Sequence, residues 1–417
     1  MADMVFSGVT FSGGYSISLP PPNIRAIFGY GQTYGGGAFL SMTNLVSNTG
    51  VVSTDTTGVG TARSQLAGAG YGTDKAIYGY GYDGNQGSPF SITNLVSNTG
   101  VVATNTAGVG TARAFLAAAT YGTDKAIFGY GYNTSLFTPV YYSTTNLVSN
   151  TGVVGNDVTG VGTTRNGLAA AGYGTDKAIF GYGFNGSSTL SITNLVSNTG
   201  VVATDTTGVG TVRRWLAATG YGTDKAIFGY GYNTSLFTPV YYSTTNLVSN
   251  TGVVGNDVTG VGTTRNGLAA AGYGTDKAIF GYGFNGSSTL SITNLVSNTG
   301  VVATDTTGVG TVRRWLAAAG YGTDKAIFGY GYPNTNITNL VSNTGVVATD
   351  TTGVGTARSG VAAAGYSIDT AIFGYGQTDA GVVVSITNLV SSTGVVASDT
   401  TGVGTIRAFL GAASYGS

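Results

Sequence analysis

The sequence predicts an all-β protein, a single closed β-propeller in which eight four-stranded antiparallel blades surround one axis. Three observations predict this fold: eight internal repeats, a composition typical of short strands and tight turns, and two chain ends that complete each other. A β-helix coil would be shorter than these repeats, and a leucine-rich repeat would need a helix.

The repeats are marked by two motifs that recur eight times in the same order, 45 to 52 residues apart. Residues 121–218 are identical to residues 221–318, so a two-repeat unit was copied with almost no later change. Such a unit must stack on neighbours like itself. The motif Ala-Ile-Phe/Tyr-Gly-Tyr-Gly starts at Ala26, Ala76, Ala126, Ala178, Ala226, Ala278, Ala326 and Ala371, and Thr-Asn-Leu-Val-Ser starts at Thr43, Thr93, Thr145, Thr193, Thr245, Thr293, Thr338 and Thr387.

Each repeat contains four short apolar runs separated by turn residues, which predicts four strands. In one repeat the runs are 165–173, 177–182, 190–196 and 200–204, and the Gly and Asn residues between them favour antiparallel hairpins. The first run carries the small residues Leu168–Gly172, which indicates the innermost strand, where blades crowd around the axis.

The chain ends predict how the ring closes. Residues 408–416 form a first strand with no second strand after it, and residues 25–30 form a second strand with no first strand before it. Pairing them completes the eighth blade and removes two exposed sheet edges. The propeller is therefore expected to span residues 25–417. Residues 1–24 lie outside the repeat register and end near a stiff Pro20–Pro22 spacer, which suggests an attachment arm.

The composition argues against several classes of partner. Gly accounts for 71 residues, only 8% of residues are charged, and 17 basic residues balance 17 acidic ones, so we expect no binding of nucleic acid. No signal peptide or apolar run long enough to span a bilayer is evident, so we expect a product made soluble in the cytoplasm, without membrane insertion. With no cysteine, the fold cannot rely on disulfides.

The order of motifs resembles that of the kelch family of propeller repeats. Thr211–Arg213, Ala226–Gly231 and Thr245–Val248 follow one another as the corresponding family segments do. The chain departs from the family in having Gly-Tyr-Gly where paired glycines are usual and in lacking a Trp in the last strand. The resemblance implies a propeller and an interaction scaffold. The copper chemistry of kelch-type oxidases uses His and Cys ligands, and this chain has neither.

Catalysis has few residues to use, because the chain also lacks Glu. We therefore expect no enzyme activity, no catalytic metal and no cofactor. One Asp per repeat, usually followed by Lys, predicts a turn cap or surface ion pair, and one Arg per repeat predicts a bridge between blades through backbone carbonyls. The aspartates are Asp74, Asp124, Asp176, Asp224, Asp276, Asp324 and Asp369; the arginines are Arg63, Arg113, Arg165, Arg213, Arg265, Arg313, Arg358 and Arg407.

Two regions differ between the repeats: the link from the second to the third strand, and the residues that follow the repeated Arg. In an up-and-down blade both lie on one face, which we predict to be a recognition face suited to sugar stacking or a protein interface. Neutral variation of solvent loops is an equally open interpretation. The candidate residues are Trp215, Trp315, Arg214, Arg314, Phe115, Phe409, Tyr141, Tyr142, Tyr241 and Tyr242.

Three functions fit these observations. The first hypothesis is a bacteriophage virion component, such as a tail fibre, spike or decoration protein, that binds host-surface glycan or protein and attaches to other virion proteins through residues 1–24. The second is a bacterial surface lectin or adhesin at the cell surface or outside the cell. The third is a kelch-like protein-interaction scaffold. The sequence also leaves open whether the chain forms a homo-oligomer.

Overall fold

The structure is a computed structural model and describes residues 25–33, 38–56, 60–83, 88–106, 108, 110–133, 138–158, 160–206, 208, 210–235, 238–258, 262–306, 310–351, 353–379, 381–400, 402–408 and 410–415. The expected arm at residues 1–24 lies outside this part of the chain. The described residues are all-β, as predicted, and form no helix. No helix long and apolar enough to cross a membrane occurs within these ranges.

The strands are short, and most have four or five residues. In chain order they are β1 (Arg25–Gly29), β2 (Thr43–Val46), β3 (Ala67–Tyr71), β4 (Lys75–Gly79), β5 (Tyr82–Asp83), β6 (Ser88–Pro89), β7 (Thr93–Val96), β8 (Ala117–Tyr121), β9 (Lys125–Gly129), β10 (Tyr132–Asn133), β11 (Val140–Tyr141), β12 (Thr145–Val148), β13 (Ala169–Tyr173), β14 (Lys177–Phe184), β15 (Thr189–Val196), β16 (Ala217–Tyr221), β17 (Lys225–Gly229), β18 (Tyr232–Asn233), β19 (Val240–Tyr241), β20 (Thr245–Val248), β21 (Ala269–Tyr273), β22 (Lys277–Phe284), β23 (Thr289–Val296), β24 (Ala317–Tyr321), β25 (Lys325–Gly329), β26 (Thr338–Val341), β27 (Ala362–Tyr366), β28 (Thr370–Gly374), β29 (Thr387–Val390) and β30 (Gly411–Tyr415).

These strands form a repeating series of three-stranded antiparallel sheets with the second strand of each repeat in the middle. From sheet 1 to sheet 8 the orders are β30-β1-β2, β3-β4-β7, β8-β9-β12, β13-β14-β15, β16-β17-β20, β21-β22-β23, β24-β25-β26 and β27-β28-β29. Sheet 1 joins the two ends of the chain, since Arg25 pairs with Tyr415 and Gly29 with Gly411. Three small hairpins, β5-β6, β10-β11 and β18-β19, extend the link between second and third strands.

The predicted fourth strand is present only as isolated bridges. In sheet 4 the bridges are Val196 to Val202 and Thr193 to Thr206. Between them the side-chain amide of Asn194 donates to the backbone carbonyl of Ala203, 3.0 Å away, in place of a backbone donor. The expectation of four strands per repeat is therefore confirmed for three of them, and the fourth is reduced to bridges between which an asparagine side chain takes part in the pairing.

Packing between sheets explains the Ala-Ile-Phe-Gly motif. The ring of Phe128 in sheet 3 lies over Gly79 in sheet 2, where an added Cβ would come within 2.8 Å of the ring. Phe128 also meets Tyr80 edge to face, with ring centroids 5.3 Å apart. Only glycine leaves room for a ring stacked so closely on a strand. The contact recurs as Gly29 with Tyr78, Gly129 with Phe180, Gly181 with Phe228, Gly229 with Phe280, Gly281 with Phe328, Gly329 with Phe373 and Gly374 with Phe28.

The first strands of successive sheets are also neighbours. Strand β3 lies beside β8, β8 beside β13, and the series continues through β16, β21, β24 and β27 to β30. Strand β30 in turn lies beside β3. The small residues predicted to face the crowded centre, such as Ala169–Ala171, are in these first strands.

The turns and links at the two ends of the strands form two different surfaces. We call them the constant face and the variable face. On the constant face, the turn between the first and second strands meets the turn that follows the third strand: Asn98 Nδ2 donates to Asp74 Oδ2, 2.9 Å away. The backbone N–H of Gly72 donates to the carbonyl of Asp124 in the next sheet, 2.6 Å away. On the variable face, the residues just before each first strand pair with the link after the second strand, as in the bridge between Arg214 and Tyr232. Both variable regions therefore lie together.

Candidate recognition site

The two tryptophans of the chain occupy equivalent positions on the variable face, immediately before strands β16 and β24. Trp215 has φ 51° and Trp315 has φ 52°, a left-handed conformation that is strained for a bulky residue. Their backbone N–H groups donate to the carbonyls of Gly167 and Gly267 in the preceding sheets, at 3.1 and 2.9 Å. Each tryptophan is thereby held against the sheet before it.

Both indole rings are open to solvent and share one groove. Trp215 is 46% exposed and Trp315 is 57% exposed. The groove has a volume of about 510 Å³, within the range of small-molecule sites. We call it the Trp groove. It is lined by Trp215, Leu216, Tyr232, Asn266, Gly267, Leu268 and Trp315.

Gly267 keeps the middle of this groove clear. It has φ +60°, and a Cβ added there would lie 3.3 Å from both Cδ1 and Nε1 of Trp315. In the preceding copy, Gly167 has φ +61°, and an added Cβ would lie 3.8 Å from the indole of Trp215, an ordinary van der Waals distance. Gly267 in the Trp groove is therefore packed more closely against an indole ring than Gly167, its equivalent in the earlier copy.

Two arginines lie against aromatic rings beside the groove. The guanidinium carbon of Arg314 is 4.2 Å from the ring centroid of Trp315 and 4.3 Å from that of Phe284. That of Arg214 is 4.5 Å from the centroid of Phe184 and 5.6 Å from that of Tyr232. Both contacts are cation–π interactions, which hold the charge at the edge of the groove.

Neither of these arginines forms an ion pair with a described carboxylate. Their Nε atoms are buried and donate to no acceptor within the described residues. The neighbouring Arg213 and Arg313 lie close to Asp257 and Asp350, at 3.6 and 4.0 Å. Arg214 and Arg314 are therefore the cations of this region whose charge no described carboxylate offsets.

The other predicted recognition residues that the structure describes are all half-buried. Tyr141 stacks on Tyr132, with centroids 5.5 Å apart, and meets Phe184 edge to face in the next sheet. Tyr241 makes the same contact with Tyr232 at 5.6 Å. These two rings are half-buried between hairpins of adjacent sheets.

The remaining candidates have smaller roles at this face. Phe115 is half-buried and meets Trp215 edge to face, at 6.3 Å between centroids. Tyr142 and Tyr242 are half-buried and donate their backbone N–H groups to Gly131 and Gly231. Phe409 lies outside the described residues.

The repeated Arg lies in the core and joins adjacent sheets, but not as the sequence suggested. The guanidinium of the fully buried Arg113 lies 4.1 Å from the ring centroid of Tyr80 in the preceding sheet. Its Nη2 donates to Asn146 Oδ1 in its own sheet, 2.6 Å away. The expected bridge through backbone carbonyls was wrong, because the carbonyl that Nη1 reaches is that of nearby Thr111. The guanidinium bridges the sheets through the tyrosine ring, while the backbone carbonyl of Arg113 itself accepts a hydrogen bond from the N–H of Gly81 in the preceding sheet, 3.1 Å away.

The Gly-Tyr-Gly motif shapes this contact. Tyr80 has φ 65° and Gly81 has φ +105°, and the equivalent tyrosines all have positive φ. In sheet 4 the strand register shifts at this point, between Gly181 and Gly183. Burial raises the pKa of Tyr80 to about 12, and burial lowers the pKa of Arg113. The ring therefore stays neutral beneath the guanidinium.

A second series of aspartates completes the network, and the sequence analysis missed its role. Asp157 accepts hydrogen bonds from the backbone N–H of Thr111 and from Asn146 Nδ2, at 2.9 and 3.0 Å, and lies 3.8 Å from Arg113. Burial acts to raise the pKa of Asp157, but these donors outweigh it and lower that pKa overall. The available signal was spacing, since each such residue follows the repeated Asn by eleven positions.

The Asp-Lys turns form the ion pairs that the sequence predicted. Lys125 Nζ lies 2.9 Å from Asp124 Oδ1, and Asn150 donates to the other oxygen. The hydrogen bond from Lys125 is the largest cause that lowers the pKa of Asp124. Similar turns line a cavity of about 710 Å³ beside the first strands on the constant face. Within the described ranges, no three acidic, His or Cys residues are grouped to hold a metal ion.

In comparisons with known proteins, no protein-family model matched this chain. A search of curated proteins also found no match. The kelch resemblance therefore stays a prediction.

Proposed function

We propose that the eight sheets are the blades of one closed β-propeller. Three sets of contacts support closure: β30 pairs with β1, β30 neighbours both β27 and β3, and Phe28 of sheet 1 lies over Gly374 of sheet 8. Arg407 lies over the ring of Tyr375 and donates to Asn44, which repeats the core network across the two chain ends. Closure removes the open edges that a linear series of sheets would expose.

We further propose that the protein is a non-enzymatic recognition protein whose ligand binds in the Trp groove. The observation that carries this proposal is the pair of solvent-exposed tryptophans that line one groove on the variable face. Large aromatic side chains left open to water favour a partner that covers them, and tryptophan is common among the residues that dominate binding energy. The core arginines and turn aspartates are committed to internal contacts, which leaves this face for recognition.

Our first hypothesis for the biological setting is a bacteriophage virion component that binds host-surface glycan or protein. Arg25 starts β1 at the constant face, where its Nη1 donates to the carbonyl of Asn98, 3.3 Å away. The described chain thus begins, at Arg25, on the face opposite the Trp groove. This polarity supports attachment to other virion proteins through residues 1–24 while the groove faces outward.

The constant face offers a further surface for assembly, because one valine per repeat is about two-thirds exposed there. These valines follow the turn after each third strand: Val51, Val101, Val153, Val201, Val253, Val301, Val346 and Val395. A surface lectin or adhesin and a kelch-like interaction scaffold are the alternative settings. Neighbouring tail or capsid genes would favour the first hypothesis, and a neighbouring export system would favour the lectin.

Changing Trp215 and Trp315 together to Ala tests the recognition role. A glycan array carrying bacterial surface oligosaccharides measures binding, and thermal melting measures stability. We expect binding to fall at least tenfold while the melting temperature changes little, because both rings are half-exposed. Unchanged binding per folded molecule, with a loss of about 3 kcal/mol or more in unfolding free energy, would show instead that the rings serve packing.

A further inference from the structure

We propose that the Trp groove selects acidic sugars, glycans whose pyranose ring carries a carboxylate, over their neutral counterparts. This inference rests on the proposed recognition function and adds the ligand class. It is carried by the two exposed indole rings of one groove and by two arginines without described carboxylate partners, which lie outside the lining but next to two of its rings, Trp315 and Tyr232.

The indole rings supply the surface that a sugar ring needs. The C–H face of a pyranose packs on an aromatic ring, and the volume of about 510 Å³ accommodates a small ligand. Asn266 adds an amide at the lining, which is suited to hydrogen bonding with hydroxyl groups. Gly267 leaves the space between the rings free of a side chain.

The arginines supply the charge preference. Arg314 lies against Trp315, which lines the groove. Arg214 lies against Phe184 of the preceding sheet, and its guanidinium carbon is 5.6 Å from the ring centroid of Tyr232, which also lines the groove. Within the described residues, no hydrogen-bond acceptor is recorded for either guanidinium, and no carboxylate pairs with it. A guanidinium presents paired N–H donors that match a carboxylate in geometry and charge. A carboxylated sugar stacked on the indole would satisfy both sets of groups.

Nucleic acid also combines rings with negative charge, but the surface does not favour it. Binding to a phosphate backbone draws on many basic contacts, whereas this chain has no net charge and these two arginines are the unpaired cations that border the groove. The lysines of the chain lie on the opposite, constant face, where they pair with aspartate. An acidic sugar needs only one or two cations.

Intrinsic fluorescence gives a selective test, because the chain contains only two tryptophans and both line the groove. The full chain is titrated with pairs of sugars that differ only at C6, where one member has a carboxylate and the other a hydroxymethyl group: mannuronate against mannose, glucuronate against glucose, and galacturonate against galactose. We expect at least one acidic member to change the emission and to bind at least tenfold more tightly than its neutral partner. Added sodium chloride should reduce the difference.

The variant Arg214→Gln/Arg314→Gln separates charge from stacking. We expect it to bind the preferred acidic sugar at least tenfold more weakly and to lose most of the preference for that sugar over its neutral partner. Neutral sugars that bind as tightly as acidic ones to the unmodified chain would overturn the charge preference and leave the recognition function standing. Binding of no sugar, or tighter binding of an oligothymidylate probe, would overturn both the ligand class and the proposed glycan recognition.

Discussion

Residues 121–218 and 221–318 have the same sequence but give their tryptophans different surroundings. Trp215 in the first copy meets Phe115 edge to face, while Trp315 in the second copy lies across Gly267 from Trp215 and packs against Tyr332 at 5.8 Å. The difference comes from the sheet two places earlier, which supplies Phe115 in one case and Trp215 in the other, and from the link of the tryptophan's own sheet, which carries Tyr332 beside Trp315. The contacts within a repeat are therefore determined by its own sequence, whereas the repeats beside it determine whether a groove forms there.

High pH is expected to produce the largest effect, because it acts on the network that all sheets share. Burial raises the pKa of Tyr80, Tyr130 and Tyr182 to about 12, whereas an exposed tyrosine titrates near 10. The folded chain thus keeps these protons longer than the unfolded chain. The stability that these buried tyrosines contribute is fully present below about pH 10 and is lost as the pH rises toward 12.

Thermal melts followed by circular dichroism at pH 8, 10 and 11 measure this loss. We expect a steep fall in melting temperature between the last two values. A melting temperature that stays constant up to pH 11 would contradict the burial of neutral tyrosines beneath the arginines.

Removing a network arginine is expected to have the next largest effect and to be equal in the two copies. Arg213→Ala and Arg313→Ala each leave a buried asparagine and a tyrosine ring without their cation, so each should lower the unfolding free energy by about 3 to 5 kcal/mol. Urea denaturation provides the measurement, and Arg214→Ala, one position away, is the matched control with an expected loss below about 1 kcal/mol. Losses of unfolding free energy that differ by several kcal/mol between the two copies would contradict the claim that the network is independent of neighbouring repeats.

Changing Phe115 is expected to have a smaller effect, confined to the first copy. Phe115→Leu removes the edge-to-face contact with Trp215, which is worth about 0.5 to 1.5 kcal/mol. Trp215 should become more accessible to acrylamide, with Trp315→Phe as the background that isolates its emission. Equal quenching with and without Phe115 would show that this contact does not shield Trp215.

The sequence was sufficient to predict the all-β class, the antiparallel pairing and the shared location of the two variable regions. Spacing and periodicity determine these features locally. The outer strand was overestimated because Asn194 reaches across to Ala203, which no apolar pattern reveals. Tyr141 and Tyr241 were predicted recognition residues, yet each is half-buried against a phenylalanine of the next sheet, a contact that depends on three-dimensional position.

The candidate site was predictable only in part. Trp215 and Trp315 stood out because their position varies between the repeats, which otherwise carry Gln65, Phe115, Gly167, Gly267, Gly360 and Phe409 there. Their shared groove required Gly267, which resembles an ordinary turn glycine in the sequence. The role of Asp157 was hidden because its hydrogen-bond donor Thr111 lies 46 residues away.

The most direct test of the account compares Gly267→Asn with Gly167→Asn, because the two glycines have identical local sequences and nearly identical φ. Asn tolerates positive φ better than most residues, so both variants should lose a similar amount of stability, on the order of 1 kcal/mol. Tryptophan fluorescence measures sugar binding to the unmodified chain and to each variant. We predict that Gly267→Asn lowers affinity at least tenfold and that Gly167→Asn lowers it less than threefold. Equal losses in both variants, or none in either, would contradict a recognition site built between Trp215 and Trp315.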